Sequence, residues 1–387
     1  MALEDIPRDV EDKGADHDIS ALNGEKDRIL HACEQRDIDD LKDLAISGGG
    51  FYSDAIRRQA WPVLLGFRSD EPAEEDGGPD SWRHMPRHRD EEQVKLDVNR
   101  SFIYYPNDDS QAQLDLKKSE LSDLITEVLR RHPYLCYFQG YHDICQVFLL
   151  VLPPAVRATA VARLSTLRIR DFMLPTLTPA IAQLRLIPDI LSAVDPALCA
   201  HLSRIEPYFA LSDTLTMFAH NVQRYGDIAR LFDALLAREQ VFGLYVFTQI
   251  VLLRRAELFA TDEPDMLHFA LSKLPQDLDL EAVIADAAAL FRDHPPETLR
   301  AWRDISGASV LKTARDVSAC ADQTLEDGHR FFKKQLRELQ WAERRHKVFE
   351  VLWANRRAIL AVMVGVGAIY FRKAPVWAHL LAWSRTL

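Results

Sequence analysis

Apolar residues recur along most of this chain at spacings of three and four. Ile29, Leu30, Ala32, Cys33, Ile38, Leu41 and Leu44 follow that rhythm up to Gly48-Gly49-Gly50, which predicts one helix ending at the glycine run. A short helix around Asp54 to Leu65 follows, with Gly66 as its stop. Leu121, Leu124, Ile125, Val128 and Leu129 form a stripe on one helical face, and Ser110 and Gln113 stand where a capping box would open that helix. From there to about Arg300, apolar stretches of helical length are separated by Pro153-Pro154, Pro175, Pro188, Pro207, Pro275 and Pro295-Pro296. No alternating run is bounded by hairpin signals, and no βα alternation with a glycine-rich turn occurs. The pattern predicts an all-α fold of many short helices, without a fixed-period repeat.

Two stretches break this habit near the start. Residues 1–24 are acidic and polar with little to bury, and are expected to be a disordered tail preceding a domain over 25–300. Residues 68–90, rich in charge, proline and glycine, are expected to form a poorly ordered surface loop.

The end of the chain has different chemistry. Between His329 and Arg357 nine Arg or Lys face three Glu, so 301–357 reads as a basic helical linker. Residues 358–371, AILAVMVGVGAIYF, are uncharged and mostly apolar. As a helix they would cover roughly 21 Å, short of the ~30 Å hydrocarbon core. Arg356 and Arg357 before the run and Arg372 and Lys373 after it can snorkel toward headgroups, and Trp377 and Trp383 suit an interface. Residues 358–387 are therefore expected to be a membrane anchor, as a short span or a shallow hairpin; a terminal helix docked on the domain is the alternative.

Charge and cysteine usage narrow the function classes. A net charge of -11 argues against general nucleic-acid affinity, which needs a basic footprint to release counterions. Five cysteines, an odd number without CxxC spacing, fit a reduced interior and small buried hydrophobes rather than a disulfide or zinc scaffold. The first residues carry no apolar h-region of a secretory signal, so the bulk of the chain is expected to face cytosol.

Three clusters carry chemistry. In Val94-Lys95-Leu96-Asp97-Val98-Asn99-Arg100, Asp97 and Arg100 are helical neighbours, so the carboxylate can orient the guanidinium and leave donors free for a partner's phosphate oxygens. In Tyr137-Phe138-Gln139-Gly140-Tyr141-His142-Asp143, Gln139 has the donor and acceptor that positioning a water requires, and Gly140 permits close approach of another surface. In the third, Arg57 precedes Trp61 by one turn and can stack on it or pair with an acid, while Trp61, Leu64 and Leu65 share a core face. Taken singly, the DxxR pair is an ordinary surface ion pair and QG means little.

Together, in order and spacing, the clusters resemble the RxxxW, IxxDxxR and YxQG motifs of TBC-domain proteins, GTPase-activating proteins for Rab GTPases. The key positions are Arg57 and Trp61, then Asp97 and Arg100, with Val94 where Ile is usual, then Tyr137, Gln139 and Gly140. The resemblance covers roughly residues 25–300. Strings such as ValLysLeuAspValAsnArgSer, TyrPheGlnGlyTyrHisAspIle and ArgAspPheMetLeuProThr, together with the apolar tail, are most similar to the subgroup with a C-terminal membrane anchor. One departure is Met217-Phe218, where a Trp is common in the equivalent helix. The resemblance implies that Arg100 acts as an arginine finger and Gln139 as a glutamine finger supplied in trans. Asp97, Tyr137, Gly140 and Asp143 would support the fingers or contact the GTPase, while Arg57 and Trp61 are structural. It further implies a GTP-bound Rab as partner, the one serving ER-to-Golgi transport, with GTP and Mg²⁺ carried by that partner and no cofactor in this chain. The protein would sit at the endoplasmic reticulum membrane with its catalytic domain in the cytosol. Two rivals remain: a Rab-binding scaffold without activity, and an HD-type metal phosphohydrolase built on His142-Asp143 with His132, His201, His220 or Asp227, none of which has a defensible ligand spacing.

Overall fold

The computed structural model describes residues 12–67, 78, 80–107, 109–357, 360, 362–364 and 366. Among them every regular element is helical, as the periodicity predicts. The first six α-helices are α1 (Asp12–Gln35), α2 (Ile38–Ile46), α3 (Asp54–Leu64), α4 (Glu91–Val98), α5 (Gln111–Arg131) and α6 (Tyr141–Val151). Next come α7 (Pro154–Arg163), α8 (Thr178–Leu184), α9 (Leu186–Val194), α10 (Pro196–Leu202), α11 (Leu211–Leu215) and α12 (Tyr225–Ala237). The last seven are α13 (Phe242–Leu253), α14 (Arg255–Phe259), α15 (Pro264–Leu271), α16 (Leu280–Asp293), α17 (Val310–Thr313), α18 (Val317–Ala321) and α19 (Leu325–Ala354).

Several boundaries follow directly from the sequence. Ser110 and Gln113 cap α5 reciprocally, the Ser hydroxyl taking the Gln113 amide at 3.4 Å while the Gln113 carbonyl takes the Ser110 amide at 2.8 Å. The proline pair 153–154 ends α6 and starts α7, because proline lacks the amide that a helix interior needs but not its first turn. Gly66 closes α3 in the left-handed region (φ 74°), and a Cβ there would lie 2.0 Å from the carbonyl oxygen of Ala321.

Four expectations need correction. The single helix across 29–44 is two, because Arg36 takes a left-handed φ of 54° and the Asp37 carboxylate caps the Asp40 amide at 3.0 Å, opening α2 afresh. The expected disordered stretch 1–24 overlaps α1, which begins at Asp12; residues 1–11 lie outside the described residues. Burial of Ile29, Ala32 and Cys33 supplies the nucleus from which that helix extends toward its polar start. Within the 68–90 stretch, residues 68–77 and 79 lie outside the described residues, but Ser81–His84 forms a 3₁₀ turn with Trp82 buried. The indole lies beside the guanidinium groups of Arg83 and Arg130, 4.4 and 5.6 Å from its ring centre, so one aromatic residue anchors a polar loop. Finally, Met217 and Phe218 lie in no helix: both are buried in left-handed backbone (φ 49° and 67°) between α11 and α12.

The compact unit runs to Phe332, well past the boundary at 300 read from composition. Buried arginines explain the extension. Arg163 donates to the carbonyls of Leu65, Ala321 and Gln323 at 2.5, 2.7 and 2.8 Å. Arg170 donates to the Ala308 carbonyl and the Thr313 hydroxyl, and Asp171 accepts from the Val310 amide at 3.0 Å. These charges could not stay out of water without partners from 308–323. A second unit, Lys333–Leu387, contains the rest of α19, which exposes Trp341, Phe349, Leu352 and Trp353. Most of the expected anchor at 358–387 lies outside the described residues, and among the described ones no helix is long and apolar enough to cross a membrane.

At the centre of the first unit lies Asp233 of α12, fully buried. Arg57 donates to it from Nε and Nη2, both at 3.0 Å, and the Trp61 indole N–H donates at 2.8 Å. The Phe51 amide donates at 3.1 Å. Sequence reasoning left Arg57 the choice of stacking on Trp61 or pairing with an acid. It pairs, and Trp61 bonds to the same acid while its ring packs against Phe148 and Phe232 at 5.6 and 5.9 Å. Removing one member of such a buried pair leaves the other charged and unsolvated. Asp233→Ala is therefore expected to destabilise the protein by about 3–5 kcal/mol, read as a shift of the urea unfolding midpoint. A loss below about 1 kcal/mol, the level of an exposed pair, would contradict this assignment.

Candidate functional site

The first and second sequence clusters, around Arg100 and Gln139, meet on one side of the unit. Val94 and Val98 bury one face of α4, which brings Asp97 inward with no exposed surface and leaves Arg100, just past the helix end, with a side chain 63% exposed. Asp97 Oδ1 accepts from Arg100 Nη2 at 2.6 Å and from Gln93 Nε2 at 3.0 Å. Its other oxygen, Oδ2, accepts from the Tyr137 hydroxyl at 3.0 Å. The acid thus fixes the root of an exposed guanidinium and ties α4 to the loop that leads into α6.

That loop is held from both ends. The Tyr137 amide donates to Asp90 Oδ2 at 2.9 Å, and its hydroxyl lies 3.1 Å from His142 Nδ1. Gly140 takes φ 101°, and a Cβ there would stand 2.6 Å from Thr216 Cγ2, so both backbone and space demand glycine. Gln139, one residue earlier, is exposed. Asp143 sits in the first turn of α6, where a carboxylate is favoured by the helix dipole. Its oxygens lie 3.3 Å from His142 Nε2 and 2.9 Å from His220 Nδ1. Burial lowers the His142 pKa below its ordinary value, whereas the hydrogen bond to Asp143 raises that of His220.

Arg100 and Gln139 line one cleft of about 610 Å³, together with the rest of 101–105, residues drawn from between Phe138 and Gln146 and from between Ser212 and His220, and Leu177. Between the polar groups, Ile103, Tyr104 and Leu177 expose apolar surface. The segment carrying Ile103 and Tyr104 is pinned from beneath by the buried Gln146, whose Oε1 accepts from the Phe102 amide at 2.9 Å. The cleft collects Arg100, Gln139, Gly140 and Asp143 of the expected set, with Asp97 and Tyr137 behind them. Arg57 and Trp61 do not line it.

Of the further ligands imagined for a metal phosphohydrolase, only His220 reaches the His142-Asp143 pair, as a hydrogen-bond partner of Asp143. His132 packs edge-on against Tyr134, His201 lies 2.9 Å from the Leu258 carbonyl, and Asp227 pairs with Arg224. Among the described residues no group of three or more His, Cys, Asp or Glu is arranged to hold a metal ion.

A model of the Rab-GTPase-TBC domain matches residues 54–259, more than half of the chain. The chain belongs to the Rab-GTPase-TBC domain family. It is 34% identical over 384 residues to TBC1 domain family member 20 of Homo sapiens, covering 96% of this chain and 94% of that protein. It is 33% identical over 329 residues to the GTPase-activating protein gyp10 of Schizosaccharomyces pombe, covering 83% and 86%. Among solved structures, the Ypt/Rab-GAP domain of Gyp1p gives a TM-score of 0.47 at 15% identity, over 66% of this chain and 93% of that one. The matched stretch of this TBC domain contains all three motifs and the whole cleft.

Sequence reasoning missed Glu91, Gln93, Gln146, Thr216 and the role of Asp233. Of these, Glu91 fixes the start of α4. It accepts from Arg130 Nε and Nη2 at 2.7 and 3.0 Å, from the His88 amide at 2.7 Å and from Arg87 at 3.2 Å. Arg130 above all, then the amide and Arg87, hold its carboxyl down at about 2, from an ordinary 4.5. A depressed carboxyl contributes stability that is complete above the ordinary value and is lost as pH falls toward the folded one. Between pH 4.5 and 2 the protein should therefore lose on the order of 2 kcal/mol through this group. Glu91→Gln should flatten that part of the acid-unfolding profile and lower stability at pH 7; an unchanged profile would show that Glu91 is not so held.

Proposed function

We propose that this protein accelerates GTP hydrolysis by a Rab-type small GTPase, with Arg100 and Gln139 entering the partner's active site. The observation that carries this reading is that an arginine rooted on a buried carboxylate and an exposed glutamine on a glycine-fixed loop line the same cleft. Phosphoryl transfer asks a protein for positioning and charge neutralisation more than for covalent chemistry. Arg100 presents a planar guanidinium fork to phosphoryl oxygens. Gln139, with both a donor and an acceptor, orients the attacking water. GTP and Mg²⁺ come with the partner. The apolar rim at Ile103, Tyr104 and Leu177 offers the contact area a protein partner needs and a free nucleotide does not. Asp97 and Tyr137 act on the fingers from behind, and Gly140 and Asp143 support them from within the cleft.

The resemblance of the apolar tail to the membrane-anchored subgroup supports a placement at the endoplasmic reticulum membrane, with residues 358–387 as anchor and the domain on the cytosolic side. It supports the Rab of ER-to-Golgi transport as partner. A panel of GTP-loaded Rabs identifies that partner by single-turnover phosphate release.

With the responsive Rab, Arg100→Ala should reduce stimulated hydrolysis by about 10³- to 10⁵-fold. Arg100→Lys should recover little, since an ammonium lacks the guanidinium fork. Gln139→Ala should be similarly crippled, and a Rab with its own switch glutamine replaced should still respond to the unaltered protein. Both alanine variants should still bind the Rab, because the lost interactions matter most in the transition state. Unchanged rates in both variants, with binding retained, would make the protein a Rab-binding scaffold instead.

A further inference from the structure

The turn between α11 and α12 is built at a cost. Two bulky residues, Met217 and Phe218, hold left-handed backbone there, a conformation that non-glycine residues adopt only when their surroundings enforce it. The surroundings are visible: both side chains are buried, the Phe218 amide donates to the Asp213 carbonyl at 2.8 Å, and Asn221 Nδ2 donates to the buried Asp213 carboxyl at 2.9 Å. The turn delivers two groups to the cleft. Thr216 packs its methyl group against the space over Gly140, and His220 places Nδ1 2.9 Å from Asp143 Oδ2.

We infer that His220 is a positioning residue for both fingers, acting through Asp143, His142, Tyr137 and Asp97; this rests on the finger reading of Arg100 and Gln139. The donors and acceptors along the path decide it. Tyr137 has one proton, and Asp97 Oδ2 takes it at 3.0 Å. The tyrosine oxygen therefore accepts from His142 Nδ1–H at 3.1 Å. His142 is buried and its pKa is lowered, so it is neutral near pH 7 and its Nε2 carries a lone pair. That lone pair faces Asp143 Oδ1 at 3.3 Å, an unfavourable meeting of two acceptors. Asp143 stays in place because His220 donates to its other oxygen. Without that donor the carboxylate yields to this repulsion and turns away, the His142 ring is no longer confined on its Nε2 side, and its tilt carries Tyr137 and then Arg100 and the Gln139 loop out of register. His220 itself is 58% exposed, so its removal opens no cavity.

His220→Ala and His220→Asn in the full chain, with Arg100→Ala alongside, test this by single-turnover phosphate release at varied protein concentration. Because displacement of a reacting group by about 1 Å costs on the order of 100-fold, His220→Ala should lower the saturating rate by about 10- to 100-fold. The half-saturating concentration should move by less than about threefold, because partner binding is not what is lost. Asparagine places an amide N–H near the position of Nδ1, so His220→Asn should return the rate to within about threefold of the unaltered protein. Urea midpoints of both variants separate this from unfolding. A saturating rate unchanged in His220→Ala, or an asparagine variant as defective as the alanine one, overturns the inference. If Arg100→Ala is inactive while His220→Ala is unaffected, only the role of His220 falls. If Arg100→Ala is also unaffected, the finger reading falls and takes this inference with it.

Discussion

A carboxylate taken out of water must be given donors, and that constraint organises this domain twice. Asp233 collects Arg57, the Trp61 indole and the Phe51 amide, which joins α12 to α3 and to the glycine turn before it. Asp97 collects Arg100, Gln93 and Tyr137, which joins α4 to the loop before α6. Each acid turns residues far apart in sequence into one rigid constellation, because any member that moves leaves a charge or a donor unpaired in a medium that cannot solvate it. Structural and functional motifs are thus built by the same device. They differ in one respect: at Asp97 one of the donors, Arg100, keeps most of its surface toward solvent.

Much of this was legible in the sequence, and the reason is local. The α5 stripe and its Ser110–Gln113 capping box are set by spacings of three and four residues, and the structure reproduces them. The Asp97–Arg100 pair is equally local. That Tyr137 and Gln139 belong beside Arg100 came from the order of motifs, since no rule of periodicity brings residue 100 to residue 139.

What stayed hidden depends on contacts distant along the chain. Nothing near Arg57 in sequence marks Asp233 as its partner. The break at Arg36 was masked because apolar residues resume at a spacing of three from Ile38 after one gap of five, while the cap that makes it, Asp37, is one acid among several. Trp82 was overlooked because the loop around it is polar; a lone tryptophan in such a loop is itself a signal of burial. The turn at Met217-Phe218 looks like ordinary apolar sequence, and only the backbone reveals its left-handed course.

Arg163 and Arg170 carry a lesson about where this domain ends. Their partners lie at 308–323, beyond the matched stretch that stops at 259, and Gly66 leaves space for a carbonyl supplied by Ala321. The late segment is a keystone set after the arch, since the early helices are shaped around atoms synthesised some 250 residues later. On the ribosome, the nascent domain must wait with two guanidinium groups facing incomplete pockets until that segment emerges. The interval before closure is when a chain of this design most needs protection from its neighbours.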